Sequence, residues 1–261
     1  MSTKLYAMPV ISMRFYPIWQ RHFLVWQKLA VTSILGSLAD PLIYMLGLGY
    51  GLGSLLPEMG GTSYLLFISG GTLCYSTMNS ATFEALYSGF SRMHVQRTWD
   101  AILNTPITLD DIVLSEILWA ATKSLMSGIA VLIVIWMLGM SHNWLSLWSI
   151  PLTLLAGLCF AALGLIITAL APSYDFFMYY FTLLITPMMM LSGVFFPVAQ
   201  LPSVLQNISA VLPLTHSVDL VRPLLNGTIP ENIMLHLAVI LAYTLAGFYL
   251  SLILIRKRLS K

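Results

Sequence analysis

Charge is the scarcest feature of this 261-residue chain: Asp, Glu, Lys and Arg make up 8% of it, against 58% hydrophobic residues. A soluble domain carries roughly 25% charged residues, so this chain lacks the polar surface to stay in water. Disorder and collagen are excluded by the same imbalance. Cysteine is nearly missing. Cys74 and Cys159 sit inside apolar runs and read as small buried hydrophobes, which excludes a secreted disulfide scaffold. No GxxxxGK[ST], HExxH, CxxC or GxSxG occurs, so no cradle for a nucleotide phosphate and no catalytic motif of these kinds is written here. His22, His94, His142, His216 and His236 are scattered, which argues against a metal site. No nucleic-acid partner is expected. The first 30 residues hold no long apolar core followed by a cleavage site, so no cleavable signal peptide is read.

What the chain has is long apolar stretches. Crossing about 30 Å of hydrocarbon takes about 20 apolar residues, and six stretches qualify: 29–53, 64–83, 112–139, 148–170, 176–194 and 232–255. The third is long for one crossing, so its first turns are expected in the cytoplasm. Of the twelve Lys and Arg residues, four (Lys4, Arg14, Arg21, Lys28) precede the first stretch. Arg92 and Arg97 lie between the second and third, and Arg256, Lys257, Arg258 and Lys261 follow the last. Only Lys123 and Arg222 fall elsewhere. The positive-inside bias therefore predicts both termini in the cytoplasm.

The expected fold is an all-α membrane protein: six transmembrane helices, an N-terminal amphipathic interfacial helix and an external re-entrant helical hairpin. It forms one domain over 1–261, with an interfacial helix in 1–28, a bundle over 29–255 and a cytoplasmic tail at 256–261. The interfacial helix is read from Arg14, Arg21 and Lys28 recurring beside Phe15, Trp19, Phe23 and Trp26, with Pro17 in its first turn. The hairpin is read from 195–214, where Pro197, Pro202 and Pro213 punctuate an apolar run too broken to span. Pro41 and Pro187 are expected to kink their helices. Gly47, Gly49, Gly51 and Gly53 suggest a loosened helix end or close contact.

Charges inside the bilayer usually mark function. Asp40 stands midway along the first stretch. Glu116 and Lys123 lie seven residues apart on one face of the third, about 10 Å along its axis. Two readings stand for this pair: a role in function or subunit contact, or a cytoplasmic-end pair in which Lys123 snorkels. The most informative polar stretch runs from Phe83 to Glu116. Its amphipathic part, 84–99, precedes Thr105-Pro106, and Thr108 is the expected N-cap before Asp110 and Asp111. A polar helix on a bundle with no motor of its own suggests a cytoplasmic partner.

That loop, with WAATKS (119–124), LAPSYDFF (170–177) and LSGVFFPVAQLP…LPLTHSVDLVRPLL (191–225), resembles permeases of type-2 ABC exporters. The nearest likeness is to the nodulation protein J subgroup, implicated in exporting lipo-chitooligosaccharide signals. The resemblance spans about residues 25–258 and implies a homodimer in the bacterial inner membrane, docked on two copies of a separate ATPase subunit that binds ATP and Mg. This chain would bind no cofactor itself, and membrane lipids would surround it. The resemblance further implies that Glu84, Arg92, Arg97 and Asp175 couple to the ATPase. Pro197, Pro202, Asp219 and Arg222 would belong to a hairpin capping the exit, with Asp219 and Arg222 as an ion pair. An amphipathic substrate could pass near Asp40, Tyr174, Tyr179 and Tyr180, although an aromatic belt explains the tyrosines equally. The alternative from another class is a stand-alone ion-coupled carrier or assembly factor.

Overall fold

A computed structural model describes residues 5–56, 58–59 and 61–259; Lys4 and Lys261, both counted in the charge bias, lie outside the described residues. Helix α1 (Phe15–Gln27) leads to α2 (Ala30–Leu42), a π-helical stretch Ile43–Leu48 and α3 (Gly49–Gly53). Strands β1 (Glu58–Met59) and β2 (Thr62–Ser63) pair antiparallel. Helix α4 (Tyr64–Phe83) then runs on through π-helical stretches Glu84–Ser88 and Ser91–Val95. After α5 (Thr98–Leu103) and α6 (Leu109–Met137) come a 3-10 turn at Trp144–Trp148, α7 (Ser149–Leu170) and α8 (Asp175–Tyr180). A π stretch, Phe181–Ile185, joins α8 to α9 (Thr186–Leu191). The chain ends with α10 (Ser203–Ser209), α11 (Pro213–Leu225) and α12 (Ile233–Leu259).

Helices α4, α6 and α7 form the centre, with α12 along α7 and α11 set against α4, α7 and α12. Small residues allow these approaches. A Cβ at Gly157 of α7 would stand 3.2 Å from Ala121 Cα of α6, and one at Gly247 of α12 would stand 3.1 Å from Ala162 Cβ. Such contacts matter because lipid supplies no hydrophobic drive for helices to associate.

Among the described residues, four helical runs are long and apolar enough to cross a membrane: Ala30–Gly53, Leu109–Met137, Trp144–Leu170 and Ile233–Leu259. They coincide with four of the six expected stretches. The other two differ for physical reasons. Helix α4 has the length, but its Ser, Thr, Asn and Gly residues lower its hydropathy, and most of it is buried among other helices. The fifth stretch forms the shorter run Asp175–Leu191.

The prolines act on helical register. A π stretch follows Pro41 directly and another ends just before Thr186-Pro187. Proline has no N–H to give, so the ladder is interrupted there; Thr186 Oγ1 donates to the Phe181 carbonyl at 3.0 Å. Pro202 and Pro213 start α10 and α11 rather than breaking them, and Pro197 precedes the 3-10 turn Val198–Gln200. The chain enters this region at Gly193, whose φ of 72° favours glycine. Helices α10 and α11 follow one another across this region, and α11 runs to Leu225, beyond the expected hairpin limit at 214.

Candidate functional site

The expected loop between the second and third stretches is mostly helix. The continuation of α4 carries the chain to Val95, and reversal occurs at Arg97, which adopts the left-handed region with φ 50°. Helix α5 then leads to α6, which opens with the expected cap. Thr108 Oγ1 accepts from Asp111 N at 3.2 Å, and Asp111 Oδ2 accepts from Thr108 N at 3.3 Å, a reciprocal capping box.

Where the α4 continuation crosses α6, the structure closes a cluster of buried charges. Arg92 lies between two carboxylates. It donates to Glu84 Oε1 through Nη1 and Nη2, both at 3.0 Å, and to Glu116 through Nε at 2.9 Å and Nη2 at 2.5 Å. Glu84 also accepts from Lys123 Nζ at 2.8 Å, Trp119 Nε1 at 2.9 Å and Ser88 Oγ at 2.9 Å. Glu116 accepts from Trp99 Nε1 of α5 at 3.1 Å, and His22 Nε2 of α1 stands 3.4 Å from it. Two carboxylates thus face two cations, and four separate pieces of chain meet at them. Burial alone would raise the Glu84 pKa, but Arg92 and Lys123 hold it at about 2. Burial also works against the charge on Arg92, yet Glu116 and Glu84 keep its pKa above the usual arginine value. Such a cluster favours charge only while every partner is present.

Two further contacts tie the chain ends to this region. Arg258 of α12 donates to the Thr168 and Ala169 carbonyls at the end of α7, each at 2.9 Å, and lies 2.6 Å from His94 Nε2 on the α4 continuation. A guanidinium only donates, so His94 Nε2 is the acceptor; burial and the nearby Arg258 and Arg97 lower the His94 pKa. Arg256 pairs with Asp110 at 2.7 Å and reaches the carbonyls of Leu5 and Ala7. Asp110 and Asp111 in turn accept from Val10 N and Ser12 N, each at 2.9 Å. The segment before α1 is thereby held between the start of α6 and the end of α12.

The expected coupling residues separate into two groups. Glu84 and Arg92 are committed to the cluster, their side chains 4% and 13% exposed. Arg97 and Asp175 are exposed. Glu116 and Lys123 belong to the same cluster but are bridged by Arg92 and Glu84 rather than touching. Pattern reading missed His22, Trp99 and Trp119. Tryptophans near a membrane surface read first as belt residues, and only Trp119, one turn from Glu116, carried a usable spacing.

Beside the cluster lies an open cleft of about 700 Å³ between α1, α2 and the α4 continuation, lined by Arg21, Trp26, Tyr87, Lys123 and Tyr174 among others. A second cleft of about 360 Å³ shares Thr32, Ser33, Phe83 and Lys123 with it and holds Asp40, Ser37, Tyr75 and Asn79. Asp40 and Tyr174 therefore line adjoining space. Tyr179 is exposed away from these clefts, and Tyr180 is buried.

Asp219 and Arg222 do not form the expected ion pair. Arg222 turns to α4 and the Gly193 turn, donating to the Phe67 carbonyl at 3.2 Å and the Gly193 carbonyl at 2.5 Å, with its guanidinium 3.7 Å from the Phe67 ring centre. The Gly193 carbonyl, just past the end of α9, lies outside any helical ladder and is open to such a donor, while the Phe67 carbonyl belongs to the first turn of α4.

The chain is similar to known proteins along most of its length. The family described as "ABC-2 type transporter" matches residues 13–226. The chain is 47% identical over 259 residues to "Nodulation protein J" of Rhizobium meliloti (strain 1021), covering 98% of each. It is 48% identical over 256 residues to the protein of that name in Rhizobium leguminosarum bv. viciae, again covering 98% of each. "Inner membrane transport permease YadH" of Escherichia coli (strain K12) is 24% identical over 205 residues, 77% of this chain and 78% of that protein.

Proposed function

Because the chain belongs to the ABC-2 type transporter family and is the membrane permease subunit of an ABC exporter, we propose that its buried charge cluster transmits movement from a separate ATPase subunit to the membrane helices. In this reading two copies of the chain sit on two ATPase copies, which bind ATP and Mg; the permease holds no nucleotide. The ATPase touches the exposed rim around Arg97 and Asp175. Glu84 and Arg92 lie behind that rim and pass its displacement to α1 through His22 and to α6 through Glu116, Trp119 and Lys123. The observation that carries this is the bracing of the α4 continuation to both helices by one buried cluster. A solvated loop would absorb displacement, whereas a charge cluster out of water resists separation.

The same reading completes a six-span topology in the inner membrane, with both termini cytoplasmic. Helix α4 and the α8–α9 run are the two further crossings, α1 lies in the cytoplasmic interface, and the α10–α11 hairpin re-enters from outside near the exit, where Pro197, Pro202 and Arg222 fix its entry. Helix α4 spans despite its polar residues because protein surrounds them. The cargo is an amphipathic molecule such as a lipo-oligosaccharide, glycolipid or drug-like compound. Its polar part would use the adjoining clefts at Asp40 and Tyr174, with Tyr179 and Tyr180 at most marking the aromatic belt.

The test is purification of the tagged chain from its native membranes with whatever ATPase subunit accompanies it, followed by native mass measurement and assays of hydrolysis and transport. The expected particle contains two of each. Arg97→Glu should weaken ATPase capture, while Arg92→Met should retain capture and separate hydrolysis from transport. A lone permease whose transport survives ATP depletion and stops when the proton gradient is lost would overturn the proposal in favour of an ion-coupled carrier.

A further inference from the structure

At the end of the bundle far from the charge cluster, two histidines face each other through like atoms. His216 Nδ1 on α11 lies 2.7 Å from His236 Nδ1 on α12, with ring centres 5.0 Å apart. His216 Nε2 is 3.1 Å from the Ala210 carbonyl at the end of α10. His236 is about six turns, or about 33 Å, along α12 from Arg258, so nothing here belongs to the coupling cluster.

The proton count follows from these two distances. A carbonyl only accepts, so His216 carries its proton on Nε2 and presents a bare Nδ1. His236 must then donate from Nδ1. One additional proton is accommodated, because either imidazolium can donate to the other ring's free Nδ1. A second additional proton sets N–H against N–H at 2.7 Å, and the contact cannot persist.

The surroundings offer little relief. The elements set against this pair carry Tyr64, Cys74 and Tyr75 on α4 and Cys159 on α7; α11 itself carries Asp219 and Arg222, and α12 carries Tyr243, Tyr249 and, at its far end, Arg256, Lys257 and Arg258. Cys74 Sγ is engaged with the Ser217 carbonyl at 3.4 Å, Tyr243 donates to the Val211 carbonyl at 3.0 Å, and Arg222 is committed to Phe67 and Gly193. Asp219 lies within electrostatic reach of both imidazoles and favours the first added proton. Burial and the facing imidazole both lower the His216 pKa.

We infer that the His216–His236 pair is a proton-operated latch that holds the α10–α11 hairpin to α12 while it carries at most one added proton and releases it when both rings are charged. Coupled imidazoles titrate as a pair in two separated steps, so acid, rather than a small change near neutrality, is the trigger.

Hydrogen exchange of the full chain in lipid nanodiscs tests this without any transport assay, with intrinsic exchange rates divided out. Between about pH 7.5 and about pH 5, the range in which imidazoles titrate, amides of α10 and the first turn of α11 should lose about tenfold in protection, the factor corresponding to one unit of mismatch between pH and proton affinity. His236→Gln supplies an amide donor for His216 Nδ1 and takes no proton, so protection should persist at both pH values. Should that variant not fold, imidazole nitrogen NMR of the native chain decides instead, with two separated titration steps expected. Protection that does not change with pH in the native chain, an equal acid loss in His236→Gln, or a single imidazole step would each overturn the latch.

Discussion

At the residue scale, Glu84 is the position on which the cluster balances. Glu84→Gln keeps the shape of the side chain but leaves Arg92 and Lys123 with one carboxylate between them. Removing one partner of a buried ion pair costs about 3–5 kcal/mol, so denaturant unfolding of the detergent-solubilised protein should show a loss of that order. Lys123→Met should cost less, because the lysine side chain is 25% exposed and water can replace part of its role. The sign with pH is fixed by the direction of the shift. Glu84 is held at about 2 against an ordinary 4.5, so its contribution is complete above pH 4.5 and fades as pH falls toward 2. Unfolding free energy in the native chain should therefore drop below pH 4.5, with a shallower drop in Glu84→Gln; parallel curves would remove Glu84 as the source. Of this cluster, the shared face of Glu116 and Lys123 was legible, since seven residues make two helical turns. The Glu84–Arg92 pairing was not, because it requires α4 to run on through π-helical turns into what was expected as a separate short polar helix.

At the element scale, glycine decides where helices can meet the Gly193–Val194 turn. A Cβ at Gly71 would run into the Val194 backbone, carbonyl included, whereas one at Gly89 would rest 3.5 Å from the Leu165 side chain. Backbone cannot step aside as a flexible side chain can. Gly71→Ala should therefore cost about 1–3 kcal/mol, read as a lowered unfolding midpoint, while Gly89→Ala should be neutral or slightly stabilising through helix propensity. Equal midpoints for the two variants would remove the Gly71–Val194 contact as a constraint. The long apolar runs of α6, α7 and α12 were legible at this scale because lipid selects composition directly. Helix α4 was legible as a segment but not in extent: its continuation is amphipathic and π-wound, and its register is set by α6, α7 and α1 rather than by its own residues. The turn at Gly193 was likewise hidden, since Arg222 reaches it from α11, a distant part of the sequence.

At the scale of the whole molecule, the least covered helix is the α2–α3 run, only 11% buried. Exposure alone requires nothing, because lipid covers apolar side chains. Asp40 changes the argument. It is exposed midway along this run, and an ionisable group facing hydrocarbon is costly enough that such residues nearly always face protein or water. The face of α2 bearing Asp40 also carries Ser33, Gly36 and Ser37, and a Cβ at Gly36 would meet nothing within 4 Å. The opposite face carries Val31, which is 72% exposed and needs only lipid. If two copies join across the Asp40 face, Gly36→Cys should cross-link to its own counterpart in native membranes under mild oxidation, and Val31→Cys should not. Both native cysteines are buried, so background cross-linking should be low. Cross-linking at Val31 alone would put the second copy on the wrong face, and cross-linking at neither, with a single permease in the native particle, would leave Asp40 to a water-filled path within one chain. The first outcome would place the carboxylates of two copies around one route between them, where a hydroxylated headgroup could meet both.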